Sequence, residues 1–275
     1  MTYSISLKWL IAFFFLFSLI ACNKNKQNSA THVVQETDEK TYDDNPPMQG
    51  FDSLNSDPQA IEIADKVMKA MGGRESWDNT RYISWNFLGF RKLLWDKFTG
   101  NVRVENQNND LKILVNIHNL EGKVFKDGEE QTHPDSLSKF LQRGKEIWIN
   151  DSYWLIMPFK LKDSGVTLKY LGEDSVMNNL SHVLELTFNA VGVTPQNKYH
   201  VFVDKNTNLV NQWAFYKNYN DESPGFTLPW TNYKDFGSIK ISGDRGSRQL
   251  SEIYVLDSIP ESYFTTFDPI DLSKL

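Results

Sequence analysis

Between Ile83 and Leu256 the chain returns again and again to one pattern, in which apolar and polar residues alternate over short runs broken by turn chemistry. Ile83, Trp85 and Phe87 alternate with Ser84 and Asn86, and Val102 and Val104 with Arg103 and Glu105. Leu111, Ile113, Val115 and Ile117 alternate with Lys112, Asn116 and His118, although Leu114 interrupts the polar face. Residues 122–127 make a fourth such run, closed by Asp127-Gly128. Six more follow at 166–171, 182–188, 199–204, 209–216, 233–242 and 250–256. Side chains on a strand point alternately to its two faces, so this period describes an antiparallel sheet covered on one side and wet on the other. About ten strands result, and a sheet of that size tends to curl.

Two segments carry the helical period instead. Asp57 suits an N-cap, Pro58 the first helical position and Gly72-Gly73 the end, with Ile61, Ala64, Val67, Met68 and Met71 along one face. Residues 134–154 form the second, with Leu137, Phe140, Leu141, Ile147 and Trp148 on one side and Gly144 as a weak point. Pro158 stops any helix that reaches it. The stretch 219–229 reads as a polar loop carrying Phe226. The expectation from pattern is a single curled α+β domain whose two helices fill the open side of the sheet.

Ahead of the strands, Lys8 is followed by an apolar run at 9–21 that only Ser18 interrupts. It is shorter than the roughly 20 residues of a membrane span and fits a secretory signal peptide. It ends in Leu19-Ile20-Ala21-Cys22, which resembles the bacterial lipobox, where the cysteine thiol takes a diacylglycerol. The chain has 1 Cys, so no disulfide framework is available and the thiol has one use. Residues 23–56 are polar, include Pro46-Pro47, and read as a tether. The expected organisation is a signal peptide at 1–21, a lipidated Cys22 with its tether at 22–56, and one folded domain at 57–275. No acid follows directly after Cys22, which suits the periplasmic face of the outer membrane as the place of anchoring.

A net charge of −6 leaves no basic footprint for nucleic acid. Catalytic patterns are sparse. The five histidines, His32, His118, His133, His182 and His200, have no close metal-ligand spacing. His118 and His200 belong to the solvent faces of strands, and His182 shares the inward parity of Leu184 and Leu186. Ser136-Leu137-Ser138-Lys139 matches S-x-x-K without its companion motifs. Asp204, Asn206 and Asn208 start like a calcium loop, but Leu209 and Phe215 stand where glycine and glutamate are needed, which makes a hairpin turn the reading. No cofactor or metal is expected.

Two stretches carry a family resemblance. One is Ala70-Met71-Gly72-Gly73-Arg74-Glu75-Ser76-Trp77; the other is the apolar run from Tyr153-Trp154-Leu155-Ile156-Met157-Pro158-Phe159 on to Val166. With the order of elements they resemble a family of bacterial envelope lipoproteins akin to the LolA/LolB-like fold. That resemblance implies an unclosed antiparallel half-barrel, its concave side covered by helices, around an apolar cavity for acyl chains. Trp85, Phe87, Val115, Ile117, Trp148, Trp154, Leu186, Phe188, Tyr199, Trp213 and Phe215 are the expected lining. The helix at 135–154 and the loop at 219–229 are the expected lids. The function implied is non-enzymatic binding of a lipid or of lipoprotein acyl chains. A protein that docks on another envelope protein is the first alternative, and a hydrolase working near Ser136 or His182 the second.

Overall fold

The computed structural model describes residues 44–189 and 191–275. The expected signal peptide, Cys22 and the first part of the expected tether lie outside them. Among the described residues three α-helices, α1 (Pro58–Ala70), α2 (Arg74–Asn79) and α3 (Pro134–Ile156), accompany fifteen strands. These are β1 (Tyr82–Phe87), β2 (Arg91–Asp96), β3 (Asn101–Asn106), β4 (Lys112–Asn116), β5 (Gly122–Lys126), β6 (Glu129–Glu130), β7 (Val166–Val176), β8 (Asn179–Phe188), β9 (Lys198–Asp204), β10 (Val210–Tyr216), β11 (Phe226–Pro229), β12 (Lys234–Phe236), β13 (Ile239–Ile241), β14 (Asp244–Arg245) and β15 (Arg248–Leu256).

The α+β class and the antiparallel pairing stand; the single ten-stranded sheet does not. The strands divide into an eight-stranded sheet, β14-β15-β1-β2-β3-β4-β5-β6, and a five-stranded sheet, β11-β10-β9-β8-β7, with β12 and β13 as a separate hairpin. The long helix α3 enters between β6 and β7, and after β11 the chain returns to the eight-stranded sheet as β14 and β15. Neither end of the eight-stranded sheet pairs with the other, so it is open. Residues 233–242, read as one strand, turn back on themselves at Gly237 (φ +60°) to make β12 and β13. Part of the expected loop at 219–229 is β11, with Phe226 opposite Phe215.

β2 escaped the alternation because both of its faces are covered. Leu93 faces the core, while Leu94 on the opposite side is equally buried. What covers Leu94 is the C-terminal segment, laid across the outer face of the eight-stranded sheet. Arg103, buried on that face, donates to the carbonyls of Tyr263 (3.0 Å), Thr266 (2.8 Å) and Asp268 (2.7 Å), and its Nε donates to Glu105 (2.6 Å). Lys112 Nζ reaches the Phe267 carbonyl at 2.6 Å. Tyr82 stacks on Phe264 and Phe125 packs against Phe267. This segment also accounts for Leu114, which interrupted the polar face of β4 and is buried opposite Arg103. Buried carbonyls need donors, and a guanidinium with five N–H groups supplies them to a stretch that pairs with no strand.

α3 lies on the inner face of β3, β4 and β5 through Leu141, Gly144 and Ile147. Gly144 marks close approach: a Cβ there would sit 2.7 Å from Ile113 Cγ2 and 3.2 Å from Val115 Cγ1. Two arginines tie the other half of the helix. Arg91 on β2 grips the buried Asp151 with two bonds of 2.8 and 2.9 Å, and Arg245 donates to the Trp154 carbonyl at 2.7 Å.

Residues 45–56, placed in the tether by composition, are bonded to the body. Met48 N donates to the Lys162 carbonyl, Asp52 N to Val166 and Asp57 N to Leu168, which covers the first half of the β7 edge. The Asp57 carboxylate caps no helix; it accepts from Tyr170 N at 2.9 Å and from Lys169.

Candidate functional site

On the five-stranded sheet one face gathers aromatic rings. The β9–β10 register sets Tyr199 opposite Phe215 and Val201 opposite Trp213. The β8–β9 register brings Leu186 beside Tyr199, with Phe188 two residues on. β11 adds Phe226. Tyr153 and Trp154, near the end of α3, complete the group. Tyr199 and Trp213 stack with centroids 5.4 Å apart and planes 8° from parallel. Trp154 meets Trp213 edge-on at 5.1 Å, Trp230 meets Trp213 at 5.3 Å, and Phe215 stacks on Phe226 at 5.0 Å. Each such pair adds about 0.5–1.5 kcal/mol beyond the area it buries.

The cluster is graded in burial. Trp213 (0 % exposed), Trp230 (1 %) and Leu186 (0 %) form its floor. Trp154, Phe188, Tyr199, Phe215 and Phe226 are half-buried and form its rim. Arg248, exposed, stands over that rim, 5.6 Å from the Trp154 ring and 5.4 Å from Phe226.

Of the eleven expected lining residues, the structure unites Trp154, Leu186, Phe188, Tyr199, Trp213 and Phe215, with Phe87 touching Trp154 at 5.9 Å. Trp85, Val115 and Ile117 belong instead to the inner face of the eight-stranded sheet, fully packed. Trp148 pairs with Trp95 at 5.2 Å. Parity could say that these side chains face inward, but it could not say which sheet they would share.

The polar residues of the cluster were not foreseen. Arg245 lies within Gly243-Asp244-Arg245-Gly246, which reads as a solvated turn, yet its side chain is wholly buried with its guanidinium carbon 3.2 Å above the Trp230 ring. Burial pushes its pKa down to about 9. Tyr233 is held protonated by burial and donates to the Val210 carbonyl at 3.0 Å. Burial also lifts Tyr153 well above the usual phenol range and Tyr199 to about 12. Burial raises the Asp151 carboxyl as well, against the pull of Arg91.

The rival chemistry does not assemble. His182 Nδ1 meets Tyr170 OH at 3.2 Å, and Ser136 bonds to no histidine among the described residues. His200 joins Tyr216 OH (3.1 Å) to Glu185 (3.2 Å) in a chain on the opposite face of the five-stranded sheet from Trp213. Burial, outweighing the pull of Glu185, lowers the His200 pKa. Asp204 accepts from Asn206 N and Thr207 N as the hairpin reading required. No group of three or more His, Cys, Asp or Glu able to hold a metal occurs among the described residues. None of the described helices is long and apolar enough to cross a membrane. A separate cleft of about 370 Å³ opens between the outer face of the eight-stranded sheet and the C-terminal segment, lined by the Lys92–Glu252 pair, Leu94, Tyr254 and Leu272 among others.

No family model matches the chain, and no curated protein matches it. Among solved structures, it is similar to a DUF1329 family protein from Desulfovibrio piger, at 13 % identity and TM-score 0.42, over 74 % of this chain and 96 % of that one. It is also similar to a LolA superfamily protein from Nitrosomonas europaea, at 13 % identity and TM-score 0.35, over 75 % of this chain and 97 % of that one. A third is the Mycobacterium tuberculosis lipoprotein LppX, at 12 % identity and TM-score 0.27, over 72 % and 96 %.

Proposed function

We propose that this protein is an envelope lipoprotein, anchored through acyl chains on Cys22, that binds an acyl-chain ligand at the aromatic cluster without catalysing a reaction. The observation that carries the ligand reading is the burial gradient: a floor of Trp213, Trp230 and Leu186 passes into a half-buried rim of Trp154, Phe188, Tyr199, Phe215 and Phe226. Rings filling a core are covered on all sides, whereas rings that bind an apolar guest must be reachable from water. Covering the exposed part of such rings is worth about 25 cal/mol per Å² of apolar area. The rim rings turn aside to admit a chain, and α3, held at Asp151 and at the Trp154 carbonyl, keeps the floor in place. Anchoring on the periplasmic face of the outer membrane and a curl of the eight-stranded sheet around α3 belong to the same reading.

Native mass spectrometry of the full chain, purified gently from a bacterial host, tests it. One lipid-mass adduct per protein is expected, and Phe188→Ala with Phe226→Ala should remove it. A bare mass that takes up neither added phospholipid nor fatty acid would sink the reading. The anchor is tested separately by the mass of the mature N-terminus, which should carry a diacylglyceryl group on Cys22.

A second reading, docking on an envelope protein, is favoured by the β7–β8 hairpin, where Met177 (62 %), Leu171 (49 %) and Leu180 (48 %) are exposed large apolar side chains. Cross-linking in cells through a photoreactive residue at Met177 distinguishes it: a discrete partner band supports docking, and crosslinks to lipid alone speak against it.

A further inference from the structure

The polar atoms within the aromatic cluster bear on what the ligand carries at its end, an inference that rests on the acyl-chain reading above. Four buried polar atoms there have no hydrogen-bond partner in the protein: Trp213 Nε1, Trp230 Nε1, Tyr153 OH and Arg245 Nε. Their side chains adjoin in series. Arg245 lies on Trp230, Trp230 meets Trp213, and Trp213 lies 6.4 Å from Tyr153 between ring centroids. Indole and guanidinium nitrogens only donate, and a protonated phenol can donate, so all four seek an acceptor. Leaving such groups unpaired in an interior is costly, and native proteins seldom do so.

Arg245 adds the sign of the charge. No carboxylate among the described residues forms an ion pair with it. Its Nη atoms donate to Ser242 Oγ and the carbonyls of Asp244, Trp154 and Ser242. The Asp244 carboxylate acts on Arg245 through space but does not bond it; its oxygens accept from Thr231, Asn232, Gln249 and the Gly246 amide. The carbonyl near the α3 C-terminus and the Trp230 face contribute partial charge only, whereas a buried cation is normally matched by a whole one. The unpaired indoles of Trp85, Trp95 and Trp148 have no guanidinium stacked on them, so the same argument does not extend there.

We propose that the floor of the cluster is a head-group subsite for a carboxylate, and that the ligand is a free long-chain fatty acid. Its carboxylate takes the N–H groups of Arg245 Nε and Trp230 Nε1, the two that lie against each other. Its chain runs out past Trp213 and Tyr199 to the rim at Phe215 and Phe226. Neutral esters and alcohols offer acceptors but no charge to match the cation.

The full chain, stripped of bound lipid, is offered palmitate, hexadecanol and methyl palmitate at equal concentration near neutral pH, and retention is read by native mass spectrometry. Bulk partition favours the two uncharged probes, so a preference for palmitate requires a partner for its charge. Palmitate is expected to be retained about tenfold over both, the scale of one charge-assisted hydrogen bond. Arg245→Met should erase that preference while hexadecanol still binds. If Arg245→Met does not fold, Trp230→Phe removes one N–H and keeps a ring, and the palmitate preference should drop about threefold; an unchanged preference overturns the subsite. Equal retention of all three by the wild-type chain overturns it too, while the acyl-chain site stands. Retention of none overturns both readings and leaves internal water as the partner of the four atoms.

Discussion

The two halves of α3 meet two different kinds of surface. Its first half rests on β3, β4 and β5 through Leu141, Gly144 and Ile147, so closely that no Cβ fits at Gly144 without displacing Ile113. Its second half presents Tyr153 and Trp154 to rings of the five-stranded sheet that are half-buried at their rim and stand over unpaired polar atoms. One helix therefore joins a close-packed aliphatic interface to a less fully buried aromatic one. Close packing leaves no slack, since interiors are as dense as organic crystals. The contrast sets a rigid first half against the second half, where the proposed ligand would bind.

The largest expected effect erases the contrast by removing the floor of the aromatic half. Trp213 is 0 % exposed, so Trp213→Ala should cost about 3–5 kcal/mol of folding stability in urea titration. The same number means that a loss of binding in this variant says nothing about the ligand, a point that inward parity alone would have missed. Next comes Gly144→Leu, which forces a side chain into the space held by Ile113 and Val115. It should destabilise by about 3 kcal/mol and leave ligand retention per folded molecule unchanged. A smaller pair sharpens the contrast directly. Phe188→Ala at the rim should lower stability by about 1 kcal/mol and ligand retention about tenfold, while Val115→Ala under the first half should cost about 2 kcal/mol and leave retention alone. Equal effects of the two on retention would remove the distinction between the halves.

The smallest effect concerns the β7 edge. The Tyr170 amide, with Lys169, holds the Asp57 carboxyl below its ordinary value of 3.8. A carboxyl depressed in the folded state contributes stability above pH 3.8 that is lost as pH falls through its lower folded value. Hydrogen exchange at the Tyr170 amide should therefore quicken in that acidic window, ahead of exchange in β4. Asp57→Asn should shift or abolish that change.

Alternation made β1, β3, β4, β5 and most of the second group of strands legible, and the helical stripe with Pro58 and Gly72-Gly73 made α1 legible. β2 was not, because the signal is a difference between two faces and Leu93 and Leu94 are both buried. β11 was hidden by its length, and the turn at Gly237 by apolar residues on both sides of it. At the site, ring type and parity placed Phe188, Tyr199, Trp213, Phe215 and Trp230 on or beside apolar faces, and the fold resemblance was needed to read such rings as a lining. Arg245 carried no signal, since an arginine in a Gly-Asp-Arg-Gly turn looks like any solvated arginine.

What the sequence determined by itself was the class of the fold and many of its inward-facing residues, because period and capping are properties of neighbours along the chain. Only the tertiary structure decided that the strands form two sheets, that the C-terminal segment roofs one of them through Arg103, and that Arg245 lies beneath the tryptophans. Those are contacts between residues as much as 165 positions apart, and burial at such range depends on where the other parts of the chain come to lie.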